Sequence, residues 1–187
     1  DWSSDVCSSD LKNMRKIVIV IVTFMLLISG CTTPEVQSRD ENIEYCIDIL
    51  CYRTDLTPVQ MTAVLSFVGV KSDFSPTYMS GAGFGLCQWT YKRFENLEAF
   101  ASGYGDINSL EVQLQFLIEE LSPKSNYYAL EDFGLYTVDD WIQTTDLEKS
   151  VIIFRNVYAS LYDETSIELE EQLDLASQLY PDRKSVV

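Results

Sequence analysis

The residues best equipped for chemistry lie close together in the middle of the chain. Lys71 and Asp73 stand two apart where a long apolar segment ends, so an ammonium and a carboxylate share one short stretch. A loop marked by Ser75-Pro76 and Gly81-Ala82-Gly83 leads into Gly83-Phe84-Gly85-Leu86-Cys87-Gln88-Trp89-Thr90. The glycines let backbone approach a ligand closely. Gln88 adds a hydrogen-bonding amide, and Phe84 and Trp89 add apolar faces. Proton carriers thus stand on one side of the loop, and binding groups on the other. No metal or cofactor is implied, because the chain has no histidine and no Cys-x-x-Cys spacing.

The surrounding pattern predicts the elements that hold these groups. Thr57-Pro58-Val59-Gln60 combines a hydroxyl N-cap, proline at the first helical position and glutamine two residues later. That helix should run to Val70 or Lys71, dense enough in apolar residues to be a buried central element. Before it, Ile43, Cys46, Ile47, Leu50 and Cys51 recur at helical spacing. Phe84 to Thr90 reads as a short strand or hairpin. Further helices are expected around Lys92–Ser102, Leu110–Leu121, Val138–Gln143, Leu147–Leu161 and Ile167–Leu179, with Gly103, Gly105, Pro123 and Asp163 as punctuation. The apolar content of 47% is enough for one packed domain.

Taken with Arg93, Leu97 and Ala99-Phe100-Ala101, these segments resemble the phage tail lysozyme family, a branch of the lysozyme-like muramidases. Leu110-Glu111-Val112-Gln113-Leu114-Gln115-Phe116-Leu117 with Glu119-Glu120-Leu121 resembles the family's next helix. Ala176-Ser177-Gln178-Leu179-Tyr180 resembles its closing one. The resemblance implies a mostly α, lysozyme-like α+β domain over residues 41–182, with a small strand or hairpin element near 84–90. It also implies glycoside hydrolysis in peptidoglycan, with Phe84, Gln88 and Trp89 contacting glycan. Trp89 reads equally well as a core residue, whereas the cleft reading is favoured for Gln88.

In the family the first helix ends near Glu-Ser-Gly-Phe-Asn-Pro, and its Glu is the general acid. The matching stretch here is Lys71-Ser72-Asp73-Phe74-Ser75-Pro76, so a lysine holds the acid's position. A muramidase needs a carboxylic acid that stays protonated near neutrality, which burial against aromatic groups provides. A lysine, with a reference pKa of about 10.4, donates poorly to a glycosidic oxygen, and its charge opposes an oxocarbenium-like transition state. Losing a positioned general acid typically costs about 10²–10⁴ in rate. Asp73 is the nearest substitute, but i and i+2 do not share a helix face. Phe67, one turn earlier, stands where the family often has asparagine.

The ends carry targeting signals. Met14-Arg15-Lys16, the twelve-residue apolar stretch Ile17–Ile28 and then Ser29-Gly30-Cys31 resemble a lipoprotein signal peptide over residues 14–30, with Cys31 as the lipidated residue. Twelve residues are too few to cross a bilayer unaided. Two or more acyl chains on Cys31 would anchor the chain stably, placing it on the outer face of a bacterial membrane. Residues 1–13 and 183–187 resemble translated sequencing-adaptor sequence, and residues 31–40 read as a polar tether. Of the remaining cysteines, Cys46 and Cys51 lie on different sides of one helix. Cys87 can pair with either of them in an exported protein; burial of all three as small apolar residues is equally consistent.

From Cys31 to Asp182 there are 26 acidic and 8 basic side chains, a net charge of −18. That disfavours nucleic acid, whose affinity rests on Lys and Arg. Three functions remain. The preferred one is a membrane-anchored lipoprotein, its catalysis lost or weak, that holds peptidoglycan glycan strands or envelope or conjugation-apparatus proteins. The second is an active muramidase using Asp73 or another carboxylate. The third is an acidic lipoprotein that inhibits incoming lysozymes.

Overall fold

The most apolar segment of the chain becomes its centre. In the computed structural model, which describes residues 38–160 and 167–180, twelve of the fifteen residues of the Pro58–Ser72 helix are buried. Such a helix, apolar on every side, belongs inside a bundle. It is the second of seven helices among the described residues: α1 (Arg39–Arg53), α2 (Pro58–Ser72), α3 (Tyr91–Tyr104), α4 (Leu110–Leu121), α5 (Val138–Gln143), α6 (Leu147–Ala159) and α7 (Ile167–Leu179). Between α2 and α3 lies a two-stranded antiparallel sheet, β1 (Met79–Ser80) and β2 (Gly83–Phe84), with Met79 opposite Phe84. The architecture is the mostly helical α+β domain expected of the sequence.

Local chemistry explains where α2 starts and stops. Thr57 and Gln60 form a reciprocal capping box, the Thr57 N–H donating to Gln60 Oε1 at 2.8 Å. At the far end Asp73 turns into the left-handed region, with φ 52° and ψ 38°, and its N–H closes the helix on the Gly69 carbonyl at 2.8 Å. Along its length α2 packs mainly against α6 and α7, and less closely against α1. Gly69 permits one of these approaches, since a Cβ there would collide with Leu175 of α7 and with the Phe74 ring. The hydroxyls of Thr62, Ser66 and Ser72 donate to carbonyls of α2 itself, so the helix brings no unsatisfied hydroxyl into the core.

Several boundaries differ from the sequence expectation. The hairpin begins before the expected Phe84–Thr90 segment, because Gly81 takes φ 59° at the tight turn that joins β1 to β2. Beyond Phe84 the chain is mainly turn, tied back by a bridge from Phe84 to Trp89. The tether ends early, since Ser38 already caps α1 in a capping box with Glu41. Helix α6 stops at Ala159, with Ser160 left-handed at φ 52°. Cys46 and Cys87 are buried and Cys51 is exposed, and no disulfide links any two of them. The leader, the signal segment with Cys31, most of the tether, Leu161, Asp163 and the 183–187 tail lie outside the described residues.

Candidate functional site

Lys71 occupies the last turn of α2, where a cation complements the helix dipole. Its side chain is 21% exposed and its ammonium sits 5.5 Å above the Phe67 ring. That ammonium is ion-paired with Glu168, in the first turn of α7. Arg155 of α6 approaches the same Glu168 oxygen, with Nη1 at 3.8 Å. Arg155 is itself buried and donates to Gln172 Oε1 at 3.1 Å. Two cations from different helices therefore converge on one carboxylate at the position where the resemblance placed a proton donor.

Asp73, the proposed substitute, points elsewhere. Its side chain is 68% exposed and accepts from Arg39 Nε at 2.5 Å. The apolar enclosure that keeps a catalytic carboxyl protonated is missing there. Asp73 and Phe74 are consecutive left-handed residues, with φ 52° and 59°. The family pattern has glycine at the first of these positions, where no Cβ is strained. Phe74 is fully buried, and its carbonyl accepts from Asn42 Nδ2 at 3.0 Å.

The loop residues divide between surface and core. Gln88 is left-handed at φ 53° and donates through Nε2 to the carbonyls of Tyr78 at 3.0 Å and Gly85 at 2.8 Å. Its Oε1 is buried without a hydrogen-bond partner among the described residues. Gly83 must be glycine for this arrangement, because a Cβ there would lie 2.7 Å from that oxygen. Phe84 is half-buried, edge-on to Phe94 at 5.5 Å. Trp89 is only 1% exposed, so in this structure it presents no face to a sugar and the core reading prevails over the cleft one. The physical reason is its partner: the indole N–H donates to Glu120 at 2.7 Å. The exposed aromatics of this region are Tyr78 and Tyr91, flanking Gln88 in sequence, and Tyr91 is held at φ 46°.

Glu120 was not singled out in the sequence, yet it organises the centre. Besides Trp89 it accepts from Arg93 Nε at 2.7 Å and Nη2 at 2.8 Å, and from the Tyr158 hydroxyl at 2.6 Å. The Arg93 guanidinium also stacks over the Tyr158 ring at 4.2 Å. Burial opposes the Arg93 charge, but Tyr158 and Glu120 outweigh it and raise its pKa. Burial, with Arg93 opposing, raises Tyr158 well above the usual phenol range. Burial and then the Glu120 charge push Cys87 up to about 12. With Oε2 accepting three hydrogen bonds, Oε1 one and 1% exposure, Glu120 has a structural role. Gln113 is the second residue missed: its Oε1 accepts from the Leu86 N–H at 2.9 Å, and its Nε2 donates to the carbonyls of Pro76 and Ile107 at 2.7 Å each. Spacing was the available signal, since Gln113, Leu117 and Glu120 fall at i, i+4 and i+7 on the apolar face of α4.

A separate cavity of about 350 Å³ opens at the other end of α2, bordered by Leu56, Gln60, Leu130 and Trp141. Gln60 and Lys71 lie eleven residues apart on one helix, so roughly 16 Å of helix axis divides the cavity from Lys71.

A buried helix ending beside a small hairpin, with further helices packed around it, defines a lysozyme-like α+β domain. Residues 41–182 match the phage tail lysozyme family, and the chain belongs to it. A comparison with curated proteins found no match.

Proposed function

We propose that this protein is a membrane-anchored lipoprotein whose lysozyme-like domain holds peptidoglycan glycan without cutting it efficiently. The observation that carries this reading is the ion pair between Lys71 and Glu168. A general acid must offer a proton from a carboxyl kept neutral by its surroundings. The carboxylates around the candidate site are otherwise engaged: Glu168 faces Lys71 and Arg155, Asp73 faces Arg39 in the open, and Glu120 is enclosed by three donor side chains.

Glycan contact is assigned to the surface of the hairpin. Gln88 and half-buried Phe84 line it, and the exposed rings of Tyr78 and Tyr91 supply the stacking faces that Trp89 cannot. Trp89 supports that surface from beneath. Backbone strain at Gln88 and Tyr91 is in keeping with a binding role, since such strain gathers at ligand-contacting loops. Membrane attachment through Cys31 and localisation to the outer face of a bacterial membrane rest on the signal-like segment at 14–30.

Incubating the purified chain with insoluble cell wall tests both halves of the proposal. The expected result is co-sedimentation that Tyr91→Ala weakens, with no release of reducing sugar. Sugar release abolished by Asp73→Ala or by Glu168→Gln would replace this reading with an active muramidase.

A further inference from the structure

We propose that Lys71 and Arg155 form a carboxylate-binding site, which Glu168 fills from within the chain and which a carboxylate of the peptidoglycan strand takes over on binding. The proposal rests on the glycan-binding reading above and names the group of the strand that is recognised. Three observations carry it. First, the charges converge: Lys71 pairs with Glu168 and Arg155 stands 3.8 Å from the same oxygen, in a domain whose net charge is strongly negative. Arg39 and Lys92, cations of neighbouring segments, each pair with a separate carboxylate on the open surface, whereas Lys71 and Arg155 converge on one. Second, the pair is reachable. The Lys71 side chain is 21% exposed and that of Glu168 is 36% exposed, whereas Arg155 is only 4% exposed and adds its field from behind. Charges in such partly buried surroundings are felt more strongly than in open water.

Third, Glu168 is displaceable at small cost. It stands in the first turn of α7, where the helix N-terminus favours an anion whether or not Lys71 is its partner. The Glu168 end of the pair is partly open to water, which screens it, so an incoming carboxylate exchanges one screened partner for another. Lys71 also stands at the family's acid position, next to where the glycosidic bond would lie. On alternate sugars of a peptidoglycan strand the ring carries a lactyl ether close to that bond, and where the stem peptide has been removed its carboxyl is a free carboxylate rather than the amide that links the stem. The geometry thus assigns Lys71 to substrate selection, with Glu168 as an internal competitor.

The test compares two probes on the full-length protein. One is the disaccharide of N-acetylglucosamine and N-acetylmuramic acid, which bears the lactyl carboxylate; the other is chitobiose, which lacks it. The native protein is expected to prefer the muramyl disaccharide modestly. Glu168→Gln should raise that affinity about two- to fivefold, the factor equivalent to an exposed pair, and leave chitobiose unchanged. Lys71→Met should abolish the preference, alone or combined with Glu168→Gln, and salt should erode it in the native protein. A preference that survives Lys71→Met, or a Glu168→Gln variant binding both probes with native affinities, overturns the proposal. Either result leaves wall co-sedimentation intact, whereas failure of co-sedimentation in the native protein defeats the glycan reading itself. A short peptide ending in a free carboxylate, run beside the sugars, separates recognition of the stem peptide from recognition of the lactyl group.

Discussion

A lysine where the resemblance places a catalytic glutamate changes more than one proton donor, because its partner changes with it. Restoring the acid as Lys71→Glu would face the new carboxylate with Glu168, and like charges that close compete for one proton. The restored carboxyl pair therefore has a raised folded-state pKa. Such a group stabilises the fold at pH below its unfolded value of about 4.3 and loses that contribution as pH rises through the folded value. Thermal melts of Lys71→Glu should accordingly show a larger deficit against the native protein at pH 7 than at pH 4, while Lys71→Glu with Glu168→Gln should narrow the gap at pH 7. The raised pKa also favours proton donation, so the single variant is the one expected to release some reducing sugar. A pH-independent deficit would show that Glu168 does not sense position 71. Asp73 supports a simpler prediction. A non-glycine residue in the left-handed region costs up to about 1–2 kcal/mol, and the exposed Arg39 pair offsets at most about 1 kcal/mol of it. Asp73→Gly should thus leave the melting temperature unchanged or slightly higher, with wall binding intact; a clear loss of stability would assign Asp73 a role beyond the helix cap.

Among the elements, α4 carries more of the site than the helix that bears Lys71. Glu120 holds α3 through Arg93, α6 through Tyr158 and the hairpin loop through Trp89, and Gln113 ties that loop to α4 two turns earlier. Glu120→Gln keeps the size but removes the charge from a buried pair, a change that typically costs about 3–5 kcal/mol. The lower end applies here because Arg93 keeps about a third of its side chain exposed. Chemical denaturation should show that loss, and a cost under about 1 kcal/mol would mean that the network is not cooperative. These connections also explain how much was legible in the sequence. The start of α2 was readable because its capping box at Thr57–Gln60 is local, whereas the like box at Ser38–Glu41 was taken for tether; α2 was readable as central because its apolar residues leave no polar face. The hairpin register depended on which glycine makes the turn between the strands; Gly81-Ala82-Gly83-Phe84-Gly85 offers three candidates, and both Gly81 and Gly85 take a positive φ. The roles of Trp89 and Glu120 depended on each other across α4, and the partner of Lys71 depended on where α7 docks, so neither pairing had a local signature.

At the scale of the whole molecule, the upward shifts of the buried thiol and phenol beside Glu120 predict stability that falls at alkaline pH. Cys87 titrates at about 12 in the fold against a reference of 9.0. Its folded pKa is raised, so its contribution is complete below pH 9 and disappears as pH climbs towards 12, at about 1.4 kcal/mol per unit. Tyr158 shifts in the same direction and steepens the loss above its own reference of 10.0. Denaturation between pH 8 and 10.5 should therefore show falling stability, and Cys87→Ala should flatten the curve even though it starts lower. An unchanged slope in that variant would place the titrating group elsewhere. Net charge, in turn, governs how the domain meets its target. A chain carrying net charge −18 over Cys31–Asp182 is repelled at long range by a polyanionic wall, while any attraction through Lys71 acts only at contact. The Debye length falls from about 30 Å at 0.01 M salt to about 8 Å at 0.15 M. Added salt therefore removes repulsion between whole surfaces before it weakens a partly buried ion pair. Co-sedimentation with wall should rise as salt goes from about 10 mM to about 150 mM, the opposite of a basic wall enzyme. Over the same range the preference for muramyl disaccharide over chitobiose should decline, since small probes experience the local pair more than the global field. Opposite salt trends for the intact wall and the disaccharide would separate the two electrostatic effects. If both fell together, Lys71 would dominate wall binding as well, and the acidic surface would act only on solubility. The proposed membrane anchor would fit the first outcome, because tethering would hold the domain within reach of a surface that its own charge keeps at a distance.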